Sequence, residues 1–147
     1  MKDFLATIFE LVFYQGSYQM IYDTMFNDQG YLFFWLLFLG VPLVAMAIFY
    51  FEWWFPYLKA WHWAIAVGIG LVIVFTGTVS IFNLTVLATG NQQLASALAN
   101  PDSGYYEHAS VLRFYYGFYN VLLALFVSLI FSAFFKRFSK LHSHLPI

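Results

Sequence analysis

Histidine is the side chain in this chain best suited to hold a metal or a haem, and it occurs four times, as His62, His108, His142 and His144. Neutral imidazole ligates iron, zinc or copper readily. A bis-histidine haem needs two such rings at one membrane depth on facing helices. The apolar segments around them place His62 and His108 at opposite surfaces, so they cannot share one. His142 and His144 are two residues apart, which on a helix turns them about 200° from each other. With His62 they could frame a metal site at one surface, but tail histidines are ordinarily solvated, and no metal site is expected. Glu10 is the one carboxylate that could fall inside a span, where a charge would cost about 3 kcal/mol or more. No carboxylate or base falls in the middle of the longer apolar segments, whereas ion-coupled transporters and pumps carry such groups to give a charge somewhere to pause. Nor is there a paired nucleophile and base or an acid dyad of the kind intramembrane hydrolysis needs. The expectation is a protein that is not an enzyme.

Neutral polar residues supply the remaining candidates. Thr76, Ser80, Asn83 and Asn120 fall within apolar segments and could line a pore if several copies assembled, since neutral polar rings conduct and gate. Arg113 reads as a side chain snorkelling to the headgroups. The Asn83-Leu84-Thr85 triplet matches a glycosylation acceptor but stands too close to the membrane to serve as one. The aromatic excess, 19 Phe, 11 Tyr and 5 Trp, could surround a pigment or quinone, yet the sequence shows no defining ligand for either. No cofactor is expected.

These residues hang on a chain of 147 residues, 63% hydrophobic and 9% charged, against about a quarter charged in an ordinary soluble domain. Six Lys and Arg stand against seven Asp and Glu, net −1, without the basic stripe that nucleic acid would demand. The absence of cysteine excludes disulfides, thiolate chemistry, Fe–S clusters and c-type haem attachment. Residues 29–51, 60–101 and 114–135 contain no Asp, Glu, Lys or Arg, and each stretch reaches the roughly 20 residues that cross a bilayer as a helix. Lys2 is followed directly by Asp3 with no small-residue cleavage site, so no cleaved signal peptide is expected.

The expected fold is all-α, a polytopic helical membrane protein forming one membrane domain. Its spans are residues 31–51, 61–90 (with a helix that could project to 100) and 104–137, followed by a tail at 138–147. Residues 1–28 are expected as an amphipathic helix lying on the membrane surface, which spares Glu10 the cost of burial; the alternative is a fourth span. Pro42 predicts a kink in the first span. Trp53, Trp54, Trp61 and Trp63 mark a short hairpin anchored in the headgroup layer, joined at the basic end of the last helix by Lys136 and Arg137. With Lys140 and Lys59, against only Glu52, these cations put the C-terminus inside, while Asp3, Glu10, Asp23, Asp28, Asp102 and Glu107 fall outside with Lys2 and Arg113.

Lipid tails give helices little hydrophobic reason to associate, so small and polar residues mark their contacts. Ala66, Gly70, Ile73, Gly77, Ser80 and Leu84 form such a seam on the second span, and Gly117, Asn120, Ala124 and Ser128 on the third. Asn120 and Thr76 come at similar depth, about 22 Å from the inner surface, so Asn120 is expected to bond near Thr76 or Ser80. The architecture is similar to that of accessory subunits in bacterial secretion or contractile-injection platforms, respiratory complexes and motor complexes. The expectation is therefore a non-catalytic, homo-oligomeric or partner-bound anchor or scaffold of a bacterial inner membrane, with a homo-oligomeric pore as the alternative.

Overall fold

The computed structural model describes residues 2–52 and 60–138; every regular element in them is helical. Helix α1 (Lys2–Phe13) and a single 3-10 turn (Gly16–Tyr18) lead into α2 (Gln19–Asn27). Then follow α3 (Gly30–Ala47), continued by a widened π turn at Ile48–Glu52, and α4 (Ala60–Phe82), continued by another at Asn83–Leu87. The short α5 (Gln92–Ala99) and a 3-10 turn (Pro101–Ser103) precede α6 (Tyr105–Phe138).

Three helices are long and apolar enough to cross a membrane, Gly30–Phe51, Trp61–Leu87 and Tyr105–Phe138, and the protein is an all-α membrane protein of three spans. Helix α1, at 12 residues, is about 18 Å long, short of a hydrocarbon core of about 30 Å. It buries Ala6 and Phe9, the latter against Tyr31 and Phe34 of α3 and Tyr116 of α6, and leaves Phe4, Leu11 and Val12 exposed. That apolar outer face suits a helix lying at the membrane boundary.

Local chemistry sets the junctions. Between α2 and α3 the chain turns at Gln29, whose left-handed φ of 60° closes the corner. Gly30 follows, and a Cβ there would meet the Met25 Cε at 2.6 Å, so a larger residue would have to displace the end of that side chain. The second span does not run on to residue 100. Its helix ends at Leu87, and α5 begins afresh with the Asn91 side chain accepting the Gln93 N–H at 3.0 Å. The cause is Thr89–Gly90–Asn91: Gly90 weakens a helix interior, and asparagine competes for backbone donors and prefers the cap. Pro42 is buried, and α3 continues through it as one element.

Helices α3, α4 and α6 pack on one another as a bundle, and α1, α2 and α5 gather at one end of it, the capped end. A large apolar core there joins Phe9, Tyr22, Tyr31, Phe34, Phe82, Leu94 and Tyr116. A smaller one at the opposite, basic end joins Met46, Phe49, Tyr50, Ala66 and Val67.

The packing seam of α4 departs from the sequence expectation. Gly77 approaches Leu37 on α3, where an added Cβ would stand 3.0 Å from Cδ1, and Gly70 lies beside Val41 and Ala45 of the same helix. The row turned inward is Val74, Thr78, Phe82 and Val86, a pure four-residue repeat. Ile73, Thr76, Ser80 and Leu84 face outward. A helix wedged between two neighbours uses two faces, and small residues mark only the side of closest approach. On α6 the expected seam is buried throughout, at Gly117, Asn120, Ala124 and Ser128.

Candidate functional site

Polar side chains inside the bundle collect along one stripe of α6, at four-residue steps: Tyr116, Asn120, Ser128 and Ser132, all buried. Each step advances about 6 Å along the helix while turning only about 40°, so with Ala124 between Asn120 and Ser128 the stripe covers about 24 Å, roughly half of α6. Three clusters form on it.

At the basic end, the Ser132 hydroxyl takes the Trp63 indole N–H at 3.0 Å and pairs with the Tyr50 hydroxyl at 2.7 Å. One small side chain thereby ties all three spans together. Trp63, expected as a headgroup anchor, is turned partly inward, whereas Trp61 stays exposed and stacks on His62. Lys136 is half-buried and Arg137 exposed in the last turns of α6. Trp53 and Trp54 lie outside the described residues, as do His142 and His144.

In the middle, Asn120 donates to the Thr78 hydroxyl at 2.8 Å, and Thr78 in turn donates to the Val74 carbonyl at 2.7 Å. The partner is thus Thr78 and neither Thr76 nor Ser80, one row over on α4. Asn120 is fully buried, and its Oδ1 has no hydrogen-bond partner among the described residues. Gly117, one turn away, lets α6 approach α4 closely: a Cβ there would stand 2.8 Å from the Phe75 ring.

Toward the capped end, the Tyr31 and Tyr116 hydroxyls meet at 3.4 Å. The Glu10 carboxylate, from α1, interacts with the Tyr31 hydroxyl and lies near those of Tyr22 and Tyr116. Three spans therefore suffice to bring Glu10 to the interior polar stripe; a fourth is not needed. Phe9 sits within this group, stacked on Tyr31 and edge-on to Phe34, Tyr116 and Tyr119. On α2, burial pushes the Tyr22 hydroxyl above the usual tyrosine value, so it stays neutral and donates to the Phe13 carbonyl.

Arg113 is held within the protein. Its Nε donates to the Ser110 carbonyl at 3.1 Å and its Nη1 to the Asn83 side chain at 3.4 Å, joining α6 to the π turn that ends α4. Asn83 is engaged in the same contact, and Thr76 donates to its own helix at Val72. The four pore-lining candidates are therefore spread over different surfaces: Thr76 and Ser80 outside, Asn83 against Arg113, Asn120 within.

Two concave regions accompany these clusters. A groove of about 530 Å³ between α3 and α4 is wholly apolar, with Gly40, Gly70, Ala45 and Ala66 along it. A smaller cleft of about 290 Å³ at the capped end lies between the end of α1 and the start of α6, where His108 meets Phe13, Gln15 and Tyr115. No group of three His, Asp or Glu able to hold a metal ion occurs among the described residues. The stripe carries hydroxyls, an amide and a carboxylate at its capped end. These groups hold the helices to one another.

Thr78, Ser132, Tyr50 and Tyr31 were not among the residues singled out from sequence. For α6 the signal was present: the rhythm Gly117, Asn120, Ala124, Ser128 continues directly to Ser132 and, one step back from Asn120, to Tyr116. Comparison with protein-family models, with curated proteins and with solved structures finds no match to this chain.

Proposed function

We propose that this protein is a non-catalytic integral membrane subunit, an anchor or scaffold around which a larger assembly of a bacterial inner membrane is built, with its C-terminus in the cytoplasm. One observation supports the reading: buried polar side chains of α3, α4 and α6 pair with one another across the bundle, at Tyr31–Tyr116, Tyr50–Ser132, Trp63–Ser132 and Asn120–Thr78. Such contacts rigidify a bundle. A self-contained bundle leaves its exposed apolar faces, such as Ile69, Val72 and Ile73 on α4 and Phe118, Leu122 and Phe126 on α6, for lipid and for neighbouring subunits. The capped end, with exposed Asp23, Asp28, Asp102 and Glu107, offers a polar surface for partners outside the lipid. A secretion or contractile-injection platform is an assembly of this kind, and the comparison rests on architecture alone.

The test is purification in mild detergent from native membranes, followed by mass measurement and identification of associated proteins, with conductance recorded in planar bilayers. The expected result is a discrete complex of several copies or several membrane proteins, silent at all voltages. A monomer without partners would overturn the reading, and a current abolished by Asn83→Leu or Asn120→Leu would replace it with a pore.

A further inference from the structure

The cleft between the end of α1 and the start of α6 combines features that the anchoring role does not use. Its volume is about 290 Å³, at the lower end of small-molecule sites. Its walls are aromatic and aliphatic. Phe13 and Tyr115 lie nearly parallel, 13° apart with centroids separated by 6.4 Å, and Leu112 closes one side. Its polar groups are His108, Gln15 and the tyrosine residues Tyr14 and Tyr115, all capable of donating a hydrogen bond.

His108 is the unusual member. Its ring stacks flat on Tyr18, 4.0 Å away and 6° from parallel, which fixes its plane. Its Nε2 is buried and has no partner among the described residues. A buried ring nitrogen without a partner is destabilising, a cost with no structural return unless something else comes to satisfy it. His108 forms part of the cleft wall, and a ligand there reaches Nε2 only when the ring shifts along its stack on Tyr18.

The charges decide the class of ligand. None of the lining residues is Asp, Glu, Lys or Arg, so phosphate or carboxylate would find no counter-ion. The one cation nearby on α6, Arg113, is directed to Ser110 and Asn83. The ligand that fits is neutral, planar enough to lie against aromatic walls, and supplied with acceptor oxygens for imidazole, amide or phenol donors. The position adds a last constraint. Val12 and Val111 line the cleft and are exposed, as is Leu11 next to Val12, an apolar margin along which a hydrocarbon tail can leave the site.

We propose that this cleft binds the head group of a membrane quinone, with a ring carbonyl accepting from His108 and the isoprenoid tail lying along Leu11 and Val111. Binding involves no redox step and is independent of the anchoring role.

The experiment uses the full-length protein in detergent with added phospholipid, titrated with decyl-ubiquinone and with menaquinone-4. His108→Leu removes the donor at similar bulk, and Val111→Trp, at a half-exposed wall position, fills the cleft with His108 intact. Helix content by circular dichroism monitors folding in both variants. Saturable binding near one quinone per chain is expected, weakened at least tenfold by each substitution. Absence of saturable binding by either quinone, or equal binding by Val111→Trp and the unsubstituted protein, overturns the proposal. Displacement of bound quinone by excess phosphatidylethanolamine at equal affinity would overturn it too, leaving a phospholipid site. Should His108→Leu lose helix content, the Val111→Trp result decides alone.

Discussion

Ser132 holds three helices with one oxygen, and its neighbour Ser128 provides the internal control. Ser128 donates only to the Ala124 carbonyl of its own helix, at 2.7 Å, a bond that a helix does without easily. Ser128→Ala is therefore expected to change stability by no more than about 0.5 kcal/mol. Ser132→Ala removes the shared partner of Tyr50 and Trp63 and should cost about 1–2 kcal/mol, the upper range for interhelical hydrogen bonds in membranes. Titration with a denaturing detergent, followed by helix content, measures the difference. The Asn120–Thr78 pair makes an asymmetric prediction. Asn120→Leu removes the bond but also the Oδ1 that lacks a partner, and leaves Thr78 bonded to Val74; it should be nearly neutral. Thr78→Val leaves the whole Asn120 amide without its acceptor, and about 1–2 kcal/mol should be lost. If Asn120→Leu proves the more damaging of the two, the orphaned oxygen has a partner that these contacts do not include.

At the scale of elements, close approach between helices depends on a few glycines. Gly117 faces the Phe75 ring so closely that even a methyl group forces the ring to move. Gly117→Ala is expected to cost about 1–3 kcal/mol, and Gly117→Leu to separate α4 from α6. Gly40, where nothing lies within 4 Å of an added Cβ, should accept alanine without loss. Thermal unfolding of the purified variants separates these cases. This contrast also shows what composition made legible and what it did not. The three spans followed directly from charge-free stretches, because hydrocarbon tolerates little else. The inward row of α6 was readable because Gly117, Asn120, Ala124 and Ser128 combine small and polar residues on one face. On α4 the same rule pointed to Gly70 and Gly77, which pack on α3, and passed over Thr78, whose neighbours Val74, Phe82 and Val86 are large and apolar. Which helix a small-residue row meets depends on the bundle's arrangement, and local sequence carries no information on that. The π turns at Ile48–Glu52 and Asn83–Leu87 were likewise invisible, since widening by one residue per turn leaves no compositional mark. The cleft beside His108 joins residues nearly a hundred positions apart, so spacing could not reveal it.

For the whole molecule, the bundle's two ends differ in chemistry, and the proposed orientation rests on that difference. The capped end exposes Asp23, Asp28, Asp102 and Glu107, while the α6 C-terminus carries Lys136 and Arg137. Positive charges resist translocation far more than negative ones, so the basic end is expected in the cytoplasm. The chain has no cysteine, and single cysteines can therefore be introduced and read without background. Asp102→Cys, in the exposed turn before α6, should react with a membrane-impermeant maleimide applied to intact spheroplasts. Ser143→Cys should react only after the membrane is opened. A fourth span would carry the N-terminus to the opposite side, so a cysteine fused ahead of Met1 should label together with Asp102→Cys if α1 lies at the surface. Labelling of that cysteine only after permeabilisation would require α1 and α2 to cross the membrane. It would then conflict with the packing of Phe9 beside Tyr31 and Tyr116, since those rings sit at the α3 and α6 ends that face the capped side. The geometry of one phenylalanine thus fixes the expected side of the N-terminus: twelve residues of α1 are too few to bury Phe9 among these tyrosines and also emerge at the far surface.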